Sequence, residues 1–364
     1  MDYGYGIHPG EYIEEVLGAR KMTQTELSKK TDLSEKLISE IVNQKINLTT
    51  ASANKISLAL GINDRILNGF AKDYSRYHEQ LKLEKEVTEE SEWFKNNFDF
   101  KELKKHGIIV KKNDFIENCI NLLKFLNVSD RKSFYDYYSN LKLETNFRKT
   151  NNTPSTESVA IWLQITKKYS DDIIYNGSEQ AFPEYNKSEF KKALLEIRKL
   201  TINDNFEEVW EKMVEFCKKS GVVLIKYPEI KGAKLYGISQ WYNKTPVIVL
   251  SLRQKRNDHF WFTFFHEAGH IILHNKRTII DIESCDNQIE NEADHFALEV
   301  IYQGRQNYEQ FKKSINNPIN KEEIIRFAKI LNIHPGIPVG SLQHDKIIKF
   351  NYLNELKTKV GFKN

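Results

Sequence analysis

Cysteine is scarce in this chain: three among 364 residues, at Cys119, Cys217 and Cys285, odd in number and far apart. That pattern excludes a disulfide framework and a cysteine-based zinc site, and a reducing cytoplasm is the natural compartment. No run approaches the ~18 apolar residues that a membrane span needs. The opening Met-Asp-Tyr-Gly-Tyr-Gly lacks the basic segment and apolar stretch of a secretory signal, so a cytoplasmic protein with no membrane partner is the expectation. Neither sign of charge dominates, because 54 Lys plus Arg stand against 50 Asp plus Glu. The net +4 neither requires nor excludes nucleic acid. Internal repeats and low-complexity tracts are missing too. What is there has 40% hydrophobic residues, 29% charged residues and a mean hydropathy of -0.57, a soluble globular composition long enough for two or three domains.

The pattern along the chain reads as mainly α with a small α+β domain. Residues 1–70 form a four- or five-helix module, 71–105 a charged helical linker, 106–205 a helical middle region of unassigned role, and 206–364 the α+β domain. Apolar periodicity marks helices at 115–128 and 188–200, and the turn formers of 151–158 mark a break. An amphipathic helix over 206–220 stops at Gly221. Strands follow at 222–226, 237–241 and 247–252, with 243–246 as the turn joining the last two. An aromatic helix covers 259–274, and another helix covers 321–331, closed by Asn332.

His266-Glu267-Ala268-Gly269-His270 carries the chemistry. Residues four apart share one helix face, so both imidazoles can hold one zinc ion while Glu267 accepts a proton from an activated water. Chance supplies roughly 0.04 such matches in a chain of this composition. The flanking apolar residues describe a buried helix, where two histidines and a glutamate without a shared ligand would be costly. A third ligand is expected from 290–297, where Glu290, Ala293, Asp294 and Ala297 share a face. Glu290 is the first candidate and Glu292 the alternative. Asp294 suits the orientation of a ligand histidine, and the two alanines permit close helix approach. A solvated acidic face is the plainer reading of Glu290. His274, His259 and His295 read as packed or surface residues, and the tryptophans and Phe260-Trp261-Phe262 as core. The strand at 247–252 is an ordinary sheet strand or one that pairs with an extended substrate along the cleft.

In the N-terminal module, Thr23 and Glu26 make a capping box, and Ser34 opens a second helix with Leu37, Ile38 and Ile41 inward. Ser34, Lys36, Ser39, Asn43 and Gln44 are left outside as candidates for DNA contacts. From 8 to 70, eight basic residues (Arg20, Lys21, Lys29, Lys30, Lys36, Lys45, Lys55, Arg65) face eight acidic ones (Glu11, Glu14, Glu15, Glu26, Asp32, Glu35, Glu40, Asp64). A neutral module gains little from counterion release, so tight binding would call for a homodimer. The other reading is an interaction module with no DNA target.

These stretches resemble two known families. Residues 8–70, with His8-Pro9-Gly10-Glu11, Met22-Thr23-Gln24-Thr25-Glu26-Leu27-Ser28 and Ile38-Ser39-Glu40-Ile41-Val42-Asn43, look like a Cro/CI-type helix-turn-helix of the antidote (antitoxin) kind. Residues 206–345 are similar to ImmA/IrrE metallo-endopeptidases in Ser251-Leu252-Arg253, in 260–270, in Glu292-Ala293-Asp294-His295-Phe296-Ala297 and in 334–343. The resemblance implies a zincin-like domain with a short sheet and the HExxH helix. It implies His266 and His270 as zinc ligands, Glu267 as the base, and a glutamate of 290–297 as third ligand. It also implies a DNA-binding regulator that cuts a repressor-type protein. The alternative is an antitoxin-like transcription factor whose metal site is structural or sensory. The family's Leu-x-Pro-like segment is absent, since 298–302 has no proline.

Overall fold

The computed structural model describes residues 6–109, 114–139, 154–176, 181–251, 253–274, 287–315 and 319–361. Residues 151–153 of the expected break, Leu252 and Cys285 lie outside them. The chain is mainly helical with one small sheet. It divides into two compact units, Met1–Asn97 with Ile109–Leu122, and Phe98–Ile108 with Leu123–Asn364. Among the described residues no helix is long and apolar enough to cross a membrane.

The first unit holds α1 (Pro9–Ala19), α2 (Gln24–Thr31), α3 (Glu35–Val42), α4 (Thr50–Leu60), α5 (Asp64–Glu89) and α6 (Ser91–Asn97). Its helices start where short polar side chains occupy the free N–H groups of the first turn. Thr23 accepts from the Glu26 N–H while the Glu26 carboxylate accepts from the Thr23 N–H, which completes the capping box. Ser34 and Thr49 cap α3 and α4 in the same way. Left-handed residues end α2 at Asp32 and α4 at Gly61. Ile13, Leu27, Ile38, Ile41, Ile56, Leu60 and Leu67 then meet in one buried core, each contributing roughly 1.5–3 kcal/mol by leaving water. Helix α5 runs unbroken through position 70, and the charged stretch 82–92 is divided between α5 and α6.

The chain continues through α7 (Phe100–Lys105), α8 (Phe115–Leu126, of which 115–122 belong to the first unit), α9 (Arg131–Tyr138), α10 (Thr156–Asp171), α11 (Lys187–Lys199) and α12 (Phe206–Lys219). Helix α12 stops at Ser220, and Gly221 turns the chain at φ +74°. Strands β1 (Val223–Lys226), β2 (Gly237–Tyr242) and β3 (Thr245–Leu250) form a sheet in the order β1-β3-β2. β3 pairs parallel with β1 and antiparallel with β2. Helices α13 (Asn257–Leu273), α14 (Asn287–Tyr302), α15 (Arg305–Ser314), α16 (Lys321–Leu331) and α17 (Gly336–His344) complete the unit.

Two expectations about the sheet need correction. The turn before β3 is Asn243-Lys244, and Pro246 lies within the strand opposite Trp241. Parallel pairing with β1 begins only at Val247, so the N–H that Pro246 lacks is lost from no ladder on that side. The strand at 247–252, read either as an ordinary sheet strand or as one along a cleft, is the central strand of the sheet. From Val247 to Leu250 it is paired on both edges, which leaves it no groups for a substrate backbone. The sheet's edge beside α13 belongs to β2.

Helix α13 is buried along most of its length. Phe260, Trp261, Phe264, Phe265, Ala268, Ile271 and Ile272 enter the core shared with α11, α12, α14 and α16. This aromatic run is core, as its composition implies.

Candidate functional sites

Two helices and one strand build the candidate metal site. α13 presents His266 and His270 one turn apart, and α14 presents Glu290. The Nε2 atoms of the two histidines lie 3.0 Å apart. His266 Nε2 is 3.3 Å from Glu290 Oε2, and His270 Nε2 is 3.4 Å from Glu290 Oε1. Tetrahedral zinc with bonds of about 2.0–2.2 Å sets its donor atoms roughly 3.3–3.6 Å apart, so the two spans to Glu290 match such an ion and the span between the histidines is a few tenths of an ångström short of it. Two ring nitrogens at 3.0 Å are close enough to share a proton or to ligate one ion, and the donor set of two imidazoles and one carboxylate suits zinc.

Acidic groups surround the two imidazoles. His266 Nδ1 meets Asp294 Oδ1 at 2.8 Å. Burial pushes the His266 imidazole down, but its hydrogen bonds to Asp294 and Glu290, with Glu267 nearby, prevail and hold it up at about 10. His270 goes the other way, to about 3, through burial first and then the neighbouring imidazoles. Glu267 is 6% exposed, and burial pushes its carboxyl up to about 7 against the pull of His266 and of the Ser239 hydroxyl and N–H.

Close packing sets these positions. A Cβ on Gly237 would stand 2.8 Å from Thr263 Cγ2 and 3.2 Å from Glu267 Cγ, so the start of β2 can press against the face of α13 that carries Glu267. Gly269 likewise faces Ala293 and Phe296 of α14. Sequence reasoning did not find Gly237 and Ser239, because nothing local marks β2 as the strand beside Glu267. Glu292, the alternative ligand, lies outside the triangle: its Oε2 is 3.1 Å from His274 Nε2. His274 is a packed residue, 12% exposed, and its Nδ1 lies 3.2 Å from His270 Nδ1. His259 stacks on Tyr236 and His295 meets Arg305 at 2.8 Å, both away from the triangle.

In the first unit, Lys36 and Ser39 lie on α3, with Lys36 84% exposed. Ser34 is the N-cap, its hydroxyl engaged by the Leu37 N–H. Asn43 is the C-cap, donating to the Ser39 carbonyl and hydroxyl, and Gln44 follows in a left-handed turn at φ +60°. The five candidates therefore sit at the two ends and on the outer face of α3.

A helix-turn-helix module in one unit and an imidazole-carboxylate cluster on packed helices in the other define a DNA-binding type of chain with a metallopeptidase-like domain. Comparison with known families agrees. Residues 12–63 match the Cro/C1-type HTH DNA-binding domain, and residues 217–332 match a peptidase family described as the IrrE N-terminal-like domain. The chain is a fusion of these two domain types. No curated protein matches it, and no solved structure does.

Proposed function

We propose that this chain is a cytoplasmic DNA-binding regulator whose C-terminal domain is a zinc-dependent endopeptidase acting on a repressor-type protein. The observation that carries the reading is the triangle of His266, His270 and Glu290 with a buried Glu267 beside it. Those three side chains would hold zinc. When bound, zinc supplies Lewis acidity toward water and a peptide carbonyl.

The chain's own groups do the rest. Glu267, pushed up to about 7 in its buried setting, takes the proton that the attacking water gives up. It then returns that proton to the departing amine nitrogen. Ser239 fixes the carboxylate through its hydroxyl and N–H. The edge of β2 unpaired by β3 can add an extended substrate backbone as a further strand. The repressor as substrate comes from the family resemblance. Ser34, Lys36, Ser39, Asn43 and Gln44 are the proposed DNA contacts, with a homodimer compensating for the module's neutral charge.

The test is metal content of the purified full chain, followed by cleavage of candidate repressors by wild type and by Glu267→Gln. Bound zinc, with cleavage by wild type and not by the variant, is expected. Equal cleavage by both removes the catalytic role. Zinc without any cleavage favours the antitoxin-like transcription factor with a structural or sensory metal.

A further inference from the structure

The two candidate ligand histidines are held from behind in different ways. His266 has a carboxylate, Asp294, on its Nδ1. His270 has another imidazole: its Nδ1 lies 3.2 Å from His274 Nδ1, and His274 Nε2 lies 3.1 Å from Glu292 Oε2. Residues 266, 270 and 274 follow at helical spacing, so the third ring stands one turn beyond the second, away from the triangle. His274 is nearly enclosed, its side chain 12% exposed, whereas Glu292 is 43% exposed.

We propose that His274 and Glu292 form a relay that fixes the tautomer of His270 and aims its Nε2 lone pair at the metal, making His274 a positioning residue for metal binding. A carboxylate can only accept, so the His274 Nε2–H donates to Glu292. The Nδ1 of neutral His274 then carries a lone pair and accepts from the His270 Nδ1–H. This leaves the lone pair of His270 on Nε2, the atom facing His266 Nε2 and Glu290. Partners behind a ligand histidine fix ring orientation and raise basicity, and losing one typically weakens metal binding 10–100-fold. Here a neutral ring carries that influence from a carboxylate one residue further out.

The inference rests on the metal-site reading above, and the experiment separates the two. Zn2+ affinity is measured on the full chain by competition with a chromophoric chelator, for wild type, His274→Ala and His274→Gln. The Co2+ absorption spectrum and the Tm of metal-free protein are recorded alongside. His274→Ala is expected to bind Zn2+ about 10–100-fold more weakly, with an altered Co2+ spectrum and a metal-free Tm within about 2 °C of wild type. His274→Gln, whose amide oxygen can accept from the His270 N–H, should recover most of the affinity. Zn2+ affinity of His274→Ala within about twofold of wild type overturns the relay and leaves the metal site standing. A loss that tracks a fall in metal-free Tm and is not rescued by Gln also overturns it, because packing alone would explain it. Wild type that takes up neither Zn2+ nor Co2+ defeats the metal-site reading and the relay with it.

Discussion

Gly269 and Ala293 face each other where α13 crosses α14: a Cβ placed on Gly269 would stand 3.2 Å from Ala293 Cα and 3.1 Å from Phe296 Cδ1. The contact lies between His270 on one helix and Glu290, one turn before Ala293, on the other, so it sets the span that the triangle closes. Gly269→Ala asks for a shift of a few tenths of an ångström, offset by about 1 kcal/mol of helix propensity, and should be near neutral in stability. Gly269→Val forces the helices apart, at about 1–3 kcal/mol, and moves Glu290 away from the histidines. Zn2+ affinity should therefore fall for Val much more than for Ala. Val at wild-type affinity would show that this contact does not set the site.

A second prediction separates reading DNA from holding the module together. The Lys36 side chain is 84% exposed and 3.9 Å from Glu40, so Lys36→Ala should leave Tm unchanged. If Lys36 meets a phosphate, affinity for an operator-like duplex falls evenly across sequences, and the salt dependence loses a slope of about 1. Leu27→Ala, by contrast, empties a fully buried position and should cost about 2–5 kcal/mol of module stability. An unaltered salt slope in Lys36→Ala takes that residue off the DNA.

How far each feature could be read from sequence follows from how local its cause is. Thr23 with Glu26, Ser34, Gly61 and Asn332 announce helix ends because a cap involves residues a few positions apart. His8-Pro9-Gly10 and His334-Pro335-Gly336 show the same economy: in each, the imidazole Nδ1 accepts from the N–H two residues on. His266 and His270 were legible from helical spacing, and Glu290 was favoured over Glu292 by sharing a face with Ala293 and Ala297. Strand order was not legible. Nothing in 245–250 says that both its edges are taken, so the sequence leaves open a substrate pairing that the neighbours of β3 exclude. The pairing of His274 with Glu292 was hidden as well, since it depends on how the end of α13 meets α14.

The described cysteines give a check that needs no variant. Cys119 is fully buried, and burial, with Asp114 adding and Lys95 opposing, pushes its thiol up to about 12. Cys217 is equally buried, and burial pushes its thiol up further. At pH 8 a thiol with that pKa is thiolate in about one molecule in ten thousand, before any barrier to entry. Iodoacetamide should leave both unmodified in the native chain and label both after denaturation, as read by peptide mass spectrometry. Native labelling of Cys217 would place it outside the core packed against α13.

Arg198 is a buried charge that ties two helix ends of the second unit together. At 2% exposed, it donates from Nε to the Ile301 carbonyl at 2.8 Å and from Nη2 to the Leu331 carbonyl. These carbonyls close the last turns of α14 and α16, where the helix dipoles are negative, so the guanidinium neutralises two helix ends at once. Burial lowers its pKa from the usual value, yet a guanidinium keeps its proton. Arg198→Met preserves most of the volume and leaves both carbonyls without that donor, a loss of about 3 kcal/mol. For a unit of this size that is about 6–12 °C in the calorimetric transition that rises when Zn2+ is added. Arg198→Lys can reach one carbonyl and should fall between Met and wild type. A Met variant that melts with wild type would mean that other groups satisfy the two helix ends, and that the charge is held there for another reason.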